Sequence, residues 1–595
     1  MSQYLSKFLY VLKGKYKKLL LMALLFVFIS ALEVIGTGLI GPFISLATNP
    51  NLITENNLLN SIYQWLGLDS EFQFLIFIGC LIIAIFFLKA FLSFNSQKII
   101  FEFGFRQQGE LAARLMHQYL RAPYTFHLTR NSASLIQYIT IETRDFSNGV
   151  MMPLLTSVSN VMVTLALVGL LIKTSPMAIA IVCGISIISY GLLESLKHKT
   201  AKWGKNCSDS ITEMIRSVNH GMGSFKETKI IGCESYFEDE LASQLHRYSV
   251  NASLAVSFGN LPRYAIEAFL ITFLIIFTFF YISTNQGNAQ SLSSVLGIFA
   301  LASIRLLPAV SNLLNAINTI RFHAVSLDKI YSDLKTLENV DLKDRNNLVS
   351  TASSKKHKNF NFQFRDKIII DNILYSYPHS ETISLDRISL VIEKGESIGL
   401  IGKSGAGKTT LVDTILGLLT PQEGDITIDG TSIYTNLRAW QNSIGYVPQS
   451  IFLIDDTLER NIAFGVPDRE IDPHRLQKAI VAAQLEELVE QLPNGIQTML
   501  GERGVLLSGG QRQRVGIARA LYHERDILVF DEATAALDNE TEASVTESIR
   551  ALSGIKTTIV IAHRLSTLVH CDRIYQLERG RLVKSGSYSE VILEK

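Results

Sequence analysis

The chain has 595 residues, several domains' worth at roughly 100–200 residues each, and a net charge of +1. That balance leaves no basic surplus for a nucleic-acid partner. Hydrophobic residues make up 48% and the mean hydropathy is +0.24, high for a wholly soluble enzyme, and the 5 cysteines lack the paired spacing of a zinc site or a disulfide framework.

The apolar excess lies before residue 320. Six stretches there approach the roughly 20 residues that cross a bilayer as helix: Leu19–Ser45, Phe72–Phe94, Val150–Ile172, Pro176–Leu193, Tyr264–Ile282 and Val295–Ile317. The first is too long for a cleavable signal peptide. Lys7, Lys13, Lys15, Lys17 and Lys18 precede it, which places the N-terminus in the cytosol. Asn49–Gln73, with no Lys or Arg, and the uncharged Ser283–Gln290 then face outward. Lys98–Arg144 and Lys197–Arg263 are long, basic and apolar at helical spacing, and read as cytosolic continuations of the membrane helices. Glu33, Lys89, Arg263, Glu267 and Arg305 lie within or beside the spans, where a charge must face a bundle interior or a watery cavity. Arg263 and Glu267, four apart, can pair along one helix face. Arg305 suits either an anionic head group in transit or helix packing.

From 334 to 365 the chain turns polar, and Asn346–Lys358 has the composition of a flexible linker. Residues 1–333 thus form a membrane domain and 366–595 a second domain.

In the second domain, Gly402-Lys403-Ser404-Gly405-Ala406-Gly407-Lys408-Thr409 follows the apolar run Glu396–Ile401 and opens the helical segment that begins Thr410-Leu411-Val412. Glycines at this spacing let backbone N–H groups converge on phosphates at a helix N-terminus. Lys408 would lie on the β- and γ-phosphates and the Thr409 hydroxyl on Mg²⁺. Ile527–Phe530 is a continuous apolar strand followed by Asp531 and Glu532. An Asp there organises the metal and its waters, and a neighbouring carboxylate accepts the proton of the attacking water. A further strand, Thr557–Ala562, ends at His563. Leu507-Ser508-Gly509-Gly510-Gln511 opens another helix, a second anion site that one chain with one phosphate cradle does not need for its own nucleotide.

With these motifs the C-terminal half resembles the nucleotide-binding domain of an ABC transporter, and the whole chain resembles a bacterial ABC exporter half-transporter. The resemblance implies an α-helical membrane domain of six transmembrane helices plus an α/β P-loop domain, ATP and Mg²⁺ as cofactors, and a multi-pass protein of the bacterial cytoplasmic membrane with the ATPase domain in the cytosol. It implies a homodimer in which ATP is held between one chain's Gly402–Thr410 and the other's Ser508, Gly509, Gly510 and Gln511. Carried over by motif, Tyr377 stacks on adenine, with a hydrophobic strand-end tyrosine as the lesser alternative. Gln449 is the Q-loop glutamine at the metal and is catalytic together with Glu532 and His563, and Asp538 belongs to the D-loop of Ala536-Leu537-Asp538. Coupling contacts would come from about Arg130–Tyr138 and Glu234–Phe237, reaching Gln449 and Gly501–Gly504. Ala535 and Gly516 depart from the commoner Ser and Ala without removing a reacting group. In the membrane half, Ala31–Gly36, Gly41–Ser45 and Ile304–Pro308 resemble PglK-type flippases. The implied cargo is an amphipathic one, a lipid-linked oligosaccharide or other glycolipid, with lipids, peptides and drugs as alternatives.

Overall fold

The computed structural model describes residues 2–12, 14–48, 63–65, 67, 70–174, 176–284, 308–351, 364–378, 380–532, 539–562 and 564–593. Two compact units emerge. One comprises Met1–Ala122 and Arg130–Val340, the other Pro123–Thr129 and Asp341–Lys595.

Among the described residues the first unit is helical. Its main elements are α1 (Tyr16–Thr48), α2 (Glu71–Arg121), α3 (Met152–Thr174), α4 (Pro176–Ser195), α5 (Lys197–Gly223), α6 (Glu234–Thr284), a helix over 308–322, and α7 (Ala324–Thr351). Helix α2 starts at Ser70, whose hydroxyl accepts from the Gln73 N–H, and stops at Ala122 because Pro123 disfavours helical backbone in the residue before it. Its 51 residues rise about 1.5 Å each, more than twice the roughly 30 Å hydrocarbon thickness. Helix α6 is equally long. The polar stretches after the second and fourth spans are thus helical continuations, as their periodicity indicates. Among the described residues, Tyr16–Ile40, Phe72–Arg121 and Ser132–Ala166 are long and apolar enough to cross a membrane.

Of the charges in or beside the spans, Glu33 is buried and ion-paired with Lys89. Arg263 Nε lies 3.2 Å from Glu267 Oε1, with both side chains exposed. Arg305 is outside the described residues. At Gly204 on α5 an added Cβ would stand 1.8 Å from the Phe322 carbonyl oxygen, so the helices meet there only because the residue has no side chain. Two π-helical turns, Tyr138–Glu142 and Ser147–Met151, lead into α3 and turn Gln137, Glu142, Thr143 and Ser147 inward, all at most 1% exposed.

The polar linker expected over 334–365, with its flexible stretch Asn346–Lys358, is corrected in part: α7 runs to Thr351. Leu327, Ile330, Leu334 and Leu337 are buried at the spacing of one helix face. Asp333 accepts from Tyr119 at 2.6 Å and pairs with Arg130 at 3.1 Å, and Glu338 pairs with Arg114. Composition registers the polar outer face of this helix and misses its inner stripe.

The second unit is an α/β domain with two sheets. Strands are β1 (Lys367–Tyr375), β2 (Leu385–Glu393), β3 (Ser397–Ile401), β4 (Glu423–Ile428), β5 (Thr431–Ser432), β6 (Ile444–Val447), β7 (Ile527–Asp531), β8 (Thr557–Ile561), β9 (Arg573–Glu578) and β10 (Arg581–Gly586). A sheet in the order β2-β1-β4-β5 is antiparallel. The other runs β10-β9-β3-β8-β7-β6 and is parallel from β9 to β6. Every residue of β7 and β8 is buried, which is what continuous apolar runs mean in a sheet covered on both faces. Trp440, fully buried, donates Nε1–H to the Ile415 carbonyl at 2.7 Å, fixing the end of the helix Lys408–Ile415 (α8). The short helix Tyr124–Leu128 groups with this domain, whereas Arg130, where the coupling segment was expected to begin, belongs to the helical unit.

Candidate functional site: a phosphate cradle at the end of a parallel sheet

Strand β3 delivers the chain to the loop Gly402–Gly407, and α8 leaves from it. Gly402, Gly405 and Gly407 have φ of 154°, 78° and 100°. At Gly407 a Cβ would also stand 2.7 Å from the Ser384 carbonyl oxygen, so this position takes glycine for two reasons. Such φ values let the loop turn tightly from β3 into the N-terminus of α8. Lys408 is 6% exposed, and its ammonium donates to the Gly402 and Lys403 carbonyls at 2.7 and 3.2 Å, which holds the charge over the loop. Thr409 is exposed while Thr410 is buried. Tyr377 is half-buried with its hydroxyl 3.3 Å from Thr410 Oγ1, so an aromatic ring borders the cradle.

Asp531 ends β7 and is 6% exposed. Burial pushes its carboxyl above the ordinary range, opposed by a hydrogen bond that Tyr446 donates at 3.3 Å. Glu532 follows with φ 49°, a left-handed conformation costly for a non-glycine residue. Its N–H is tied to the Ile561 carbonyl of β8 at 3.1 Å, and Gln449 Nε2 donates to its Oε2 at 2.5 Å. Two residues assigned to catalysis by motif thus touch. Among the described residues no three His, Cys, Asp or Glu side chains gather as a metal cluster. Mg²⁺ bound through a carboxylate, a hydroxyl and nucleotide phosphates needs no such cluster, and Asp531 with Thr409 fits that donor set.

Ser508 caps the 14-residue helix Gly509–Tyr522 (α9) in a capping box: its hydroxyl accepts from the Gln511 N–H at 3.2 Å and its own N–H donates to Gln511 Oε1 at 2.8 Å. Ser508 and Gly509 are exposed, whereas Gly510 is buried. The second anion site therefore presents a helix N-terminus to solvent. His563 and Asp538 lie outside the described residues.

Three residues of the site escaped the sequence. Gln422 accepts from the Ser376 N–H and donates to the Ser376 carbonyl, both at 2.8 Å, clamping the strand end that carries Tyr377. Tyr446 is the donor to Asp531. Asp413, on α8, is 8% exposed, and burial, then the charge of Asp531, pushes its carboxyl up to about 6. Asp413 alone had a usable signal, a carboxylate in an otherwise apolar helix face.

The ABC transporter family matches residues 385–535 and the ABC transporter transmembrane region matches residues 19–306. An ATP-dependent lipid A-core flippase of Cupriavidus metallidurans is 31% identical over 492 residues, 81% of this chain and 79% of that protein. One of Thiobacillus denitrificans is 29% identical over 569 residues, 94% of this chain and 93% of its own. Among solved structures, a bacterial Atm1-family ABC exporter with ATP bound superposes with a TM-score of 0.75 at 22% identity, covering 98% of this chain and 97% of that one. The chain thus belongs to the ABC transporter family as an exporter half-transporter, an ATP-hydrolysing translocase with its transmembrane region and its nucleotide-binding domain in one polypeptide.

Proposed function

We propose that two copies of this chain form a flippase that uses ATP to move a glycolipid from the cytosolic to the outer leaflet of a bacterial cytoplasmic membrane. Full-length kinship carries the reading: the lipid A-core flippase of Thiobacillus denitrificans aligns over 94% of the chain and 93% of its own length, so membrane and ATPase halves are shared together. The lipid-linked oligosaccharide suggested by the membrane segments and the lipid A-core moved by these relatives have one chemistry in common, a saccharide on a lipid anchor.

In this reading the N–H groups of Gly402–Thr410 and the Lys408 ammonium hold the nucleotide phosphates, and Tyr377 packs on the base. Thr409, Asp531 and Gln449 would hold Mg²⁺, which when bound neutralises charge on the phosphates. Glu532 takes the proton of the attacking water, with Gln449 fixing its position, and His563 contacts the γ-phosphate. The second copy's Ser508, Gly509, Gly510 and Gln511 close over the same phosphates with a helix N-terminus, and Asp538 lines that junction. Closure stabilised by nucleotide shifts the membrane helices between inward and outward arrangements.

The test is purified protein in liposomes, given fluorescent lipid-linked oligosaccharide or lipid A-core and scored for ATP-dependent transfer across the bilayer. Transfer of either is expected. Glu532→Gln should retain ATP binding and lose about 10²–10⁴-fold in turnover, the usual contribution of a general base. Steady hydrolysis with neither lipid moved would redirect the search to peptides and drugs.

A further inference from the structure

Where α2, α3 and the helix over 308–322 come together, a cavity of about 330 Å³ is lined by Gln97, Thr156, Ser159, Asn160 and Asn312. Among the described residues the lining has three carboxamides, two hydroxyls, no charge and no aliphatic or aromatic side chain. Thr156 donates to the Met152 and Pro153 carbonyls. Among the described residues, no side-chain hydrogen bond engages Gln97, Ser159, Asn160 or Asn312. One turn beyond Asn312, Asn315 has a buried Oδ1 without a partner. In the sequence, Thr156–Asn160 and Asn312 fall inside two of the apolar spans and Gln97 just past a third, at their cytosolic ends. Gln97 and Asn312 are exposed and Ser159 and Asn160 half-buried, so at that depth they need water or a polar guest as partner.

We infer that this cavity is a saccharide site that receives the uncharged, hydroxyl-rich part of the cargo's head group. Each carboxamide offers two N–H donors and a carbonyl acceptor, the Ser159 hydroxyl both donates and accepts, and the Thr156 hydroxyl, its proton already given to the helix carbonyls, accepts. A sugar hydroxyl has the same dual character, so a sugar ring can satisfy the wall in both directions. Among these described residues a phosphate would find no cation and an ammonium no carboxylate. An acyl chain would bury the carboxamides unpaired, which is worse than leaving them in water. The volume is at the low end of ligand pockets, about 300–1,000 Å³, which suits a few sugar units and not a whole lipid. The inference rests on the flippase reading for the route by which a head group arrives; the recognition chemistry stands on the lining alone.

The test is equilibrium binding of tritiated dodecyl maltoside, below its micellar concentration, to the nucleotide-free full-length protein in nanodiscs. Dodecylphosphocholine and maltose serve as competitors. Saturable binding that dodecylphosphocholine fails to displace is expected. The Asn160→Leu/Asn312→Leu variant, or Gln97→Ala/Asn160→Ala if the first is not monodisperse, should weaken it about tenfold, as for two lost hydrogen bonds. Displacement by maltose at equal concentration would assign the site to free saccharides, and displacement only by alkyl maltoside to a lipid-borne head. Equal affinity of wild type and variants, or equal competition by dodecylphosphocholine, overturns the saccharide site. Fluorescent glycolipid transfer separates this from the larger reading. If the variants transfer it as wild type does, the pocket falls and the flippase stands. If wild type does not transfer it yet binds maltoside through Asn160 and Asn312, the flippase falls and the pocket stands.

Discussion

At the ATP site two kinds of residue differ in how they announce themselves. Lys408, Asp531, Glu532 and Ser508 sit in contiguous motifs because a loop or strand end must place several of them at once, so their spacing shows in the sequence. Gln422 and Tyr446 work across the fold: Gln422 holds a backbone 46 residues away and Tyr446 a carboxylate 85 away, and no local pattern marks them. Asp413 stands between. Its folded-state pKa, about 6 against an ordinary 3.8, comes from burial first and Asp531 second. A raised carboxylate binds its proton more tightly folded than unfolded. The stability it costs is therefore absent below about pH 3.8, grows as pH rises and is complete above about 6. That cost is on the order of 3 kcal/mol at neutral pH and about half as much at pH 5. Asp413→Asn should accordingly raise the melting temperature of the nucleotide-free protein at about pH 7.5, with a smaller gain at pH 5. A variant that melts lower than wild type at pH 7.5 would mean that a partner of the charged form outweighs its burial.

Among the elements, the parts of the helical unit beyond the apolar spans were legible as long helices, since apolar periodicity continues past the spans. Their internal polar knot was not. The π turn Tyr138–Glu142 rotates Glu142 inward until it is 1% exposed. There it accepts from Gln137 at 2.8 Å, from Ser208 at 2.5 Å and from Lys329 at 3.2 Å. Lys329 also donates to Ser208 at 2.6 Å and lies over the Tyr138 ring. The cluster joins α5, α7 and the turn before α3, so these elements are registered by polar contacts as well as by packing. Lys329→Met leaves a buried carboxylate without its cation and should destabilise the protein by about 3–5 kcal/mol, whereas adding Glu142→Gln should recover most of the loss. Thermal unfolding of the single and double variants in detergent measures both. A double variant no more stable than Lys329→Met would show that the lysine acts through packing or through Ser208, not through the charge of Glu142.

For the whole molecule, one chain carries one phosphate cradle and one exposed helix N-terminus at Ser508. In a two-fold, isologous dimer, each nucleotide site takes the cradle of one copy and the Ser508 face of the other, and the two sites are equivalent. Sequence alone suggested this, because the second anion site has no phosphate of its own to serve, but no single-chain geometry can display it. The arrangement has a consequence that separates it from a site complete within one chain. Lys408→Ala removes the cradle's charge and Ser508→Arg blocks the capping helix, so each variant alone should hydrolyse almost nothing. In a mixed dimer, the Lys408→Ala copy still has an intact Ser508 face and the Ser508→Arg copy an intact cradle, and these meet in one working site. The opposite site combines both defects. Co-expression of the two differently tagged variants, with mixed dimers isolated by tandem affinity purification, should restore hydrolysis to at most about half the wild-type rate per dimer, since one of two equivalent sites is whole. No recovery in mixed dimers that bind ATP as the Ser508→Arg homodimer does would confine each site to its own chain or make turnover require both sites. Adding Glu532→Gln to the Ser508→Arg copy distinguishes the sources of a recovered rate. It removes the base from the one working site and should abolish that rate, whereas the same change on the Lys408→Ala copy falls in the dead site and should leave the rate standing.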